Sequence, residues 1–182
     1  MPYIIVGGVV IWVLVFWTIS VQRSFVALDE NIHNAMSQIG LQLFSRWDAV
    51  TSLLDLTKGY AAHECRTITE TIKARCSITK YSSPDDVREQ ENIIAEAMGK
   101  IMAIAERYPD LKEDGNYIKT MGAVNQYENM VRTSRLIYND SVTKLNSAIR
   151  MFPASMIAGM IGFSKRAYIE LVDEKATMQN MK

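Results

Sequence analysis

The sequence predicts an all-α protein, an N-terminal transmembrane helix followed by an antiparallel bundle of three to four long helices. Residues 3–21 are about nineteen consecutive uncharged residues, enough as a helix to cross the hydrocarbon core of a bilayer. Further on, apolar residues recur at spacings of three and four, which is the period of a helix that buries one face. We therefore divide the chain into an anchor (1–23), a bundle (24–172) and a polar C-terminal tail (173–182).

We interpret the uncharged run as a retained anchor rather than a cleaved signal peptide. It is too long for the apolar centre of a signal peptide, and no Lys or Arg precedes it. A buried core helix would need a polar face, which the run lacks. Trp17 and Arg23 have the character of interfacial residues. The expected anchor residues are Tyr3, Trp12, Trp17, Val21 and Arg23.

The basic residue just after the run favours a short outside N-terminus and a cytoplasmic bundle. Cys65 and Cys76 would lie about 16 Å apart along one predicted helix, too far for a disulfide, so free thiols are expected, as in a reducing compartment. Twenty basic and twenty acidic residues leave no net charge. We therefore expect the lipid bilayer, and not a nucleic acid, as a partner.

The first predicted bundle helix runs from Ser24 to Lys80, a stretch without proline, with a bend allowed at Gly59. Ser83, Pro84 and two aspartates predict the start of a second helix, which ends at Pro109. A loop then leads to a third helix that runs to about Met151. Whether the chain reverses or continues straight at that loop stays open. The predicted single core includes Trp47, Leu54, Ile72, Ile101, Val131 and Leu145.

A polar seam interrupts the apolar face of the third helix. Glu128 and Arg135 are seven residues apart, about two turns, so burial would require partners on neighbouring helices. We expect both to be largely buried and paired with side chains of the first helix. Two interpretations are open, a polar layer that fixes helix register or an interior small-ligand or ion site. The seam comprises Glu128, Asn129, Arg135, Tyr138 and Asn139.

A second uncharged segment follows the third helix, residues 154–163, and it is too short to span a bilayer. Three interpretations stay open: a cap on the end of the bundle, a dip into the membrane interface, or a self-association surface. The candidate interaction residues are Phe152, Pro153, Met156, Ile157, Gly162 and Phe163.

Residue patterns that would indicate catalysis, a cofactor or a metal are missing from the sequence. His33 and His63 are thirty residues apart, and no His-x-x-x-His or Cys-x-x-Cys pair occurs. A carboxylate-bridged di-metal site needs Glu-x-x-His motifs on two helices, which the chain does not have. We expect a protein that is not an enzyme, without a cofactor or an evident small-molecule substrate.

Several short stretches match a known family pattern: residues 34–39, 58–64 and 108–112, Glu128-Asn129, Arg135, residues 138–140, Leu145-Asn146, Ile149, Phe152-Pro153, Ile157-Ala158, Gly162-Phe163, Arg166 and Tyr168. With these stretches the chain resembles the LemA family of bacterial single-span membrane proteins over almost its whole length. The resemblance implies an antiparallel bundle with an N-terminal anchor and a cytoplasmic body. Gly40 departs from the pattern, since the family usually has an acidic residue there.

The resemblance supplies no activity. Members of the family have been linked to membrane organelle formation in magnetic bacteria and to the neighbourhood of a heat-shock membrane metalloprotease. Our leading hypothesis is a membrane scaffold that forms homo-oligomers, because confinement to a membrane raises the effective concentration of neighbours. The alternative is an adaptor or regulator of another membrane protein such as a metalloprotease. A third hypothesis is a ligand sensor that uses the polar seam.

Overall fold

The computed structural model describes residues 2–73 and 77–170. Six helices build this part of the chain, and it contains no β-strand: α1 (Pro2–Thr57), α2 (Ala62–Lys73), α3 (Pro84–Arg107), α4 (Pro109–Glu113), α5 (Gly115–Arg150) and α6 (Ala154–Met160). The all-α prediction is confirmed.

The predicted anchor and the first bundle helix are one continuous helix. α1 has 56 residues, hence a length of about 84 Å at 1.5 Å per residue. Its N-terminal part is exposed and apolar, with a mean hydropathy of 2.1, while Phe25, Ile32, Ile39 and Trp47 in its second part are buried in the core. Anchor and bundle are therefore joined without a hinge.

The prediction of one helix from Ser24 to Lys80 was wrong. α1 ends at Thr57, where the amide of Tyr60 donates to the carbonyl of Thr57 in a turn around Gly59. Tyr60 lies beside Tyr108 at this end, whereas Ile78 lies back against Gly40. α2 thus runs antiparallel to α1. Both helices carry an apolar stripe, and when α2 folds back each helix buries the stripe of the other. The helix propensity of the residues does not reveal this reversal, because it depends on tertiary packing.

Local capping sets the start of α3 as predicted. The Ser83 hydroxyl accepts from the amide of Asp86, and the Asp86 carboxylate accepts from the amide of Ser83, a reciprocal capping box with Pro84 in the first turn. The stretch after Tyr108, predicted as a loop, is instead the single-turn helix α4. Asp114 then caps α5 by accepting from the amides of Asn116 and Tyr117.

The chain reverses at α4. Arg135 of α5 bonds to Glu91 of α3, and these residues would lie more than about 50 Å apart if the two helices were collinear. α5 packs along α1 in the opposite direction, since Arg46 meets Glu128 while Asp29 meets Arg166, which is held by Asn146. α1 and α3 therefore point one way and α2 and α5 the other, an antiparallel four-helix bundle.

Five of the six predicted core residues are buried: Trp47, Leu54, Ile101, Val131 and Leu145. Ile72 is only partly buried, packed against the core near the end of α2. The bundle has one continuous core to which α1, α2, α3 and α5 all contribute.

Candidate functional site

Two ion pairs join α1, α3 and α5 near the middle of the bundle. Arg46 on α1 donates to Glu128 on α5, and Arg135 on α5 donates to Glu91 on α3, each at 2.8 Å. The arginine side chains are only 11% and 13% exposed, respectively. Each pair bridges two helices, and we call the four residues the charge cluster.

The charge cluster corrects part of the polar-seam prediction. Glu128 pairs with the first helix as expected, but its side chain is 48% exposed rather than buried. Arg135 is buried, yet its partner lies on α3 and not on α1. The reason is the chain reversal at α4, which places α3 beside α5. Two cluster members were missed, Arg46 and Glu91.

A signal for both missed residues exists in the sequence. Arg46 follows Leu43 by three and precedes Val50 by four, so it shares the helix face of these buried residues. Glu91 follows the buried Val87 by four and precedes the buried Ile94 by three, so it shares their helix face as well. On α1, α3 and α5, charged residues thus take positions where the helical spacing predicts an apolar residue. This pattern indicates that the charged residues of the three helices pair with each other.

One member of the charge cluster, Glu91, has a shifted pKa. Burial raises the pKa of Glu91, while the nearby charges of Arg135 and Arg46 lower it and the charge of Glu128 raises it again. Its pKa stays above the ordinary value because the desolvation of the carboxylate is the largest of these effects.

The other end of the predicted seam forms a separate site on α5. The Asn139 side chain donates to the carbonyl of Ile169 at 2.8 Å and accepts from the amide of the same residue at 2.9 Å. Asn146 makes the same pair of bonds with Arg166, at 3.0 and 2.9 Å. We call the two asparagines the asparagine clamp and residues 163–170 the C-terminal segment.

The spacing of the clamp matches its target. Seven residues of helix rise about 10.5 Å, and three residues of extended chain cover about 10 Å. The C-terminal segment is therefore extended along α5. The backbone amides and carbonyls of Arg166 and Ile169 bond to side-chain amides, as they would bond to a neighbouring strand in a sheet. Tyr138 adds a bond from its hydroxyl to the carbonyl of Ala167, and burial raises its pKa.

Other contacts seat the C-terminal segment on the bundle. Arg166 donates twice to Asp29 of α1, Ile169 is buried in the core, and Phe163 stacks on Phe25 with ring centroids 5.5 Å apart. Gly162, with φ +79°, makes the turn that leads from α6 into the segment. Asn129, predicted as part of the seam, is exposed and belongs neither to the clamp nor to the charge cluster.

Asn129 lies in an open groove between α1 and α5. The groove has a volume of about 680 Å³, and amide side chains dominate its lining: Gln38, Gln42, Asn125, Gln126 and Asn129. Met130 and Ile137 supply exposed apolar surface on its α5 side. Such a surface offers hydrogen-bond donors and acceptors without charge.

The predicted anchor residues occupy the N-terminal part of α1. Tyr3, Trp12 and Arg23 are exposed, and Trp12 stacks on Phe16. Trp17 and Val21 are partly buried, and Val21 packs against the bundle core. The burial stripe of the bundle thus continues into the last turns of the uncharged run.

The predicted interaction segment has two faces. Ile157 and Ala158 of α6 are buried against the end of the bundle, and Phe163 is partly buried. Phe152, Pro153, Met156 and Gly162 are exposed. One face therefore packs against the end of the bundle, while the opposite face is exposed.

Residues able to hold a metal do not cluster anywhere in the described ranges, 2–73 and 77–170. Cys65 is a free buried thiol whose pKa is raised first by burial and then by the charge of Glu64. Cys76 lies outside the described residues, as does the tail predicted for 173–182.

The described part of the chain therefore has the architecture of a membrane-anchored helical bundle: an apolar helix long enough to cross a membrane continues into an antiparallel four-helix bundle. Residues 35–182 match the family model described as LemA family. The chain belongs to the LemA family, which confirms the resemblance.

Shorter matches connect the chain to magnetosome proteins. Magnetosome proteins MamQ 1 and MamQ 2 of Paramagnetospirillum magneticum are each 28% identical over 74 residues, 41% of this chain and 27% of theirs. Magnetosome protein MamQ of Magnetospirillum gryphiswaldense is 31% identical over 72 residues, 40% of this chain and 26% of its own. The chain thus spans about a quarter of the length of these curated relatives.

Proposed function

We propose that the protein is a non-enzymatic membrane scaffold, anchored by the N-terminal part of α1 and assembled from several copies. One observation carries this proposal: the exposed apolar run and the core of the bundle belong to the same unbroken helix. A rigid connection holds the bundle at a fixed angle to the membrane. Copies in one membrane then present the same faces to each other, which favours ordered assembly.

The surface of the anchor also supports assembly. Gly7 and Gly8 have open space around them, so another helix can approach the backbone closely there. The magnetosome relatives agree with a role at a membrane-bounded structure. We propose that the bundle lies in the cytoplasm at the inner membrane; the position of Arg23 just after the run supports the cytoplasmic side.

Crosslinking in native membranes tests the assembly. Full-length protein should give dimers and higher species, and Gly7→Leu with Gly8→Leu should reduce them if copies meet at the glycines. Val6→Leu with Val13→Leu is the matched control, because these residues lie on the other side of the helix. Monomers alone, at native expression, would remove the scaffold proposal.

The groove between α1 and α5 favours a second candidate, an adaptor for another membrane protein. Its side-chain amides resemble those that hold the C-terminal segment, and they offer the same pair of bonds to an extended peptide. Gln42→Leu with Asn125→Leu should then release a co-purifying membrane protein such as a metalloprotease. Retention of that partner by the double variant would remove the groove from consideration.

A further inference from the structure

The interaction segment lies at the end of the bundle where α1 leaves it towards the anchor. Phe163 stacks on Phe25 of α1, and α6 packs against both α1 and α5. Phe25 is only four residues beyond Val21, the last residue of the uncharged run, hence about 6 Å further along the helix axis.

That distance places the segment at the level of lipid headgroups. The uncharged run is about 28 Å long as a helix, close to the roughly 30 Å of the hydrocarbon core. The headgroup layer on each side adds about 5 to 8 Å, so Phe25 lies within it when the run spans the bilayer. Val21 packs against the bundle core, so the bundle reaches still closer to the hydrocarbon.

The side chains that α6 and its flanks turn away from the bundle are apolar. Met160 is 86% and Phe152 81% exposed, and Met151 and Met156 are nearly two-thirds exposed. In water such a cluster is unfavourable. Flexible methionines and an aromatic ring on a helical segment suit insertion among acyl chains and headgroups.

Exposed basic side chains occur at the same end of the bundle as the apolar cluster. Arg23 follows the anchor, Arg150 ends α5 and Lys165 follows Phe163, and all three are exposed. Two acidic residues lie at this end: Asp29 is bound by Arg166, and Glu30 is exposed beside His33, so three exposed basic residues face one exposed carboxylate. Basic residues at the rim of an apolar surface attract anionic headgroups.

We propose that residues 151–163 form a second membrane contact, which we call the interfacial docking segment. Its exposed apolar side chains enter the leaflet from which α1 emerges. The segment prefers anionic lipid. A second copy that docked through the same face is the less suitable occupant, because it would bring its own exposed Arg23, Arg150 and Lys165 towards those of the first copy. The inference rests on the anchor in the proposed function and not on self-association. With two contacts, the bundle is fixed against rotation about α1.

Depth measurement on full-length protein in vesicles of phosphatidylcholine and phosphatidylglycerol tests the inference. Cys65 and Cys76 are replaced by alanine, and single spin labels are placed through Met156→Cys, Met160→Cys, Thr18→Cys in the anchor and Met102→Cys on α3. Collisions with oxygen, which partitions into lipid, and with a water-soluble nickel chelate report depth. The labels at 156 and 160 should lie about 5 to 10 Å below the phosphates, and the label at 102 should lie in water.

Each other outcome identifies what fails. Labels at 156 and 160 as open to nickel as the label at 102 would overturn the docking segment while the anchor stands. Shielding of these labels from both reagents would overturn it in favour of a second copy. A label at 18 in water would instead overturn the anchor. Equal depth in pure phosphatidylcholine would remove the preference for anionic lipid.

Discussion

Removing one amide of the asparagine clamp should loosen the C-terminal segment. Asn139→Ala deletes two hydrogen bonds to the backbone of Ile169, each with a net contribution of about 1 kcal/mol. The free energy of unfolding should therefore fall by about 2 kcal/mol, or roughly 4 to 8 °C in Tm for a chain of this size. Release of the buried Ile169 side chain would add about 1.5 to 3 kcal/mol.

Thermal unfolding in detergent, followed by circular dichroism, measures the loss, and hydrogen exchange locates it at the amides of Arg166 and Ile169. Asn139→Asp is a sharper variant, because it keeps the acceptor for the Ile169 amide but sets an acceptor against the Ile169 carbonyl. Asn129→Ala is the control on the same helix and should change stability by less than about 0.5 kcal/mol. Equal effects of Asn139→Ala and Asn129→Ala, with unchanged exchange, would refute the clamp.

Three further predictions concern other contacts. A Cβ at Gly40 would lie 2.5 Å from the Ile78 carbonyl oxygen, so Gly40→Ala should destabilise by up to about 2 kcal/mol in urea unfolding. Gly99→Ala, with open space, should stabilise by about 0.5 to 1 kcal/mol; stabilisation by both would contradict the crossing at Gly40. The raised pKa of Glu91 means that its contribution to stability is full below the unfolded pKa and is lost as pH rises towards the folded one. Glu91→Gln should therefore gain stability relative to wild type from pH 4 to pH 7, and a relative loss would show that Arg135 outweighs desolvation. With Cys76→Ala in place, buried Cys65 should react with a thiol reagent only on unfolding; rapid reaction in native protein would contradict its burial.

Features that depend on residues close together in the sequence were predictable. The start of α3 follows from Ser83, Pro84 and Asp86, whose capping bonds involve only near neighbours. The buried residues of α1 and α5 follow from helical periodicity. A bend at Gly59 was allowed for, but the full reversal there was missed because it depends on burial of the α1 and α2 stripes against each other, which local propensity does not determine.

Partners across helices were harder to predict. The expectation that Arg135 pairs with α1 failed because its neighbour is set by the reversal at α4, which the sequence left open. The clamp was missed for another reason. Arg166 and Ile169 bond to side chains rather than to a helix or strand, so the C-terminal segment has no periodic pattern. The spacing of Asn139 and Asn146 becomes informative only beside an extended chain.

Assembly in the membrane is tested most directly by counting copies. Full-length protein carrying one fluorophore per chain is reconstituted into vesicles at decreasing protein-to-lipid ratios, and bleaching steps are counted in single particles. The scaffold proposal predicts particles with several steps that persist on dilution, since copies bind each other rather than meet by chance. One step per particle at every ratio would contradict it and leave the adaptor as the better proposal.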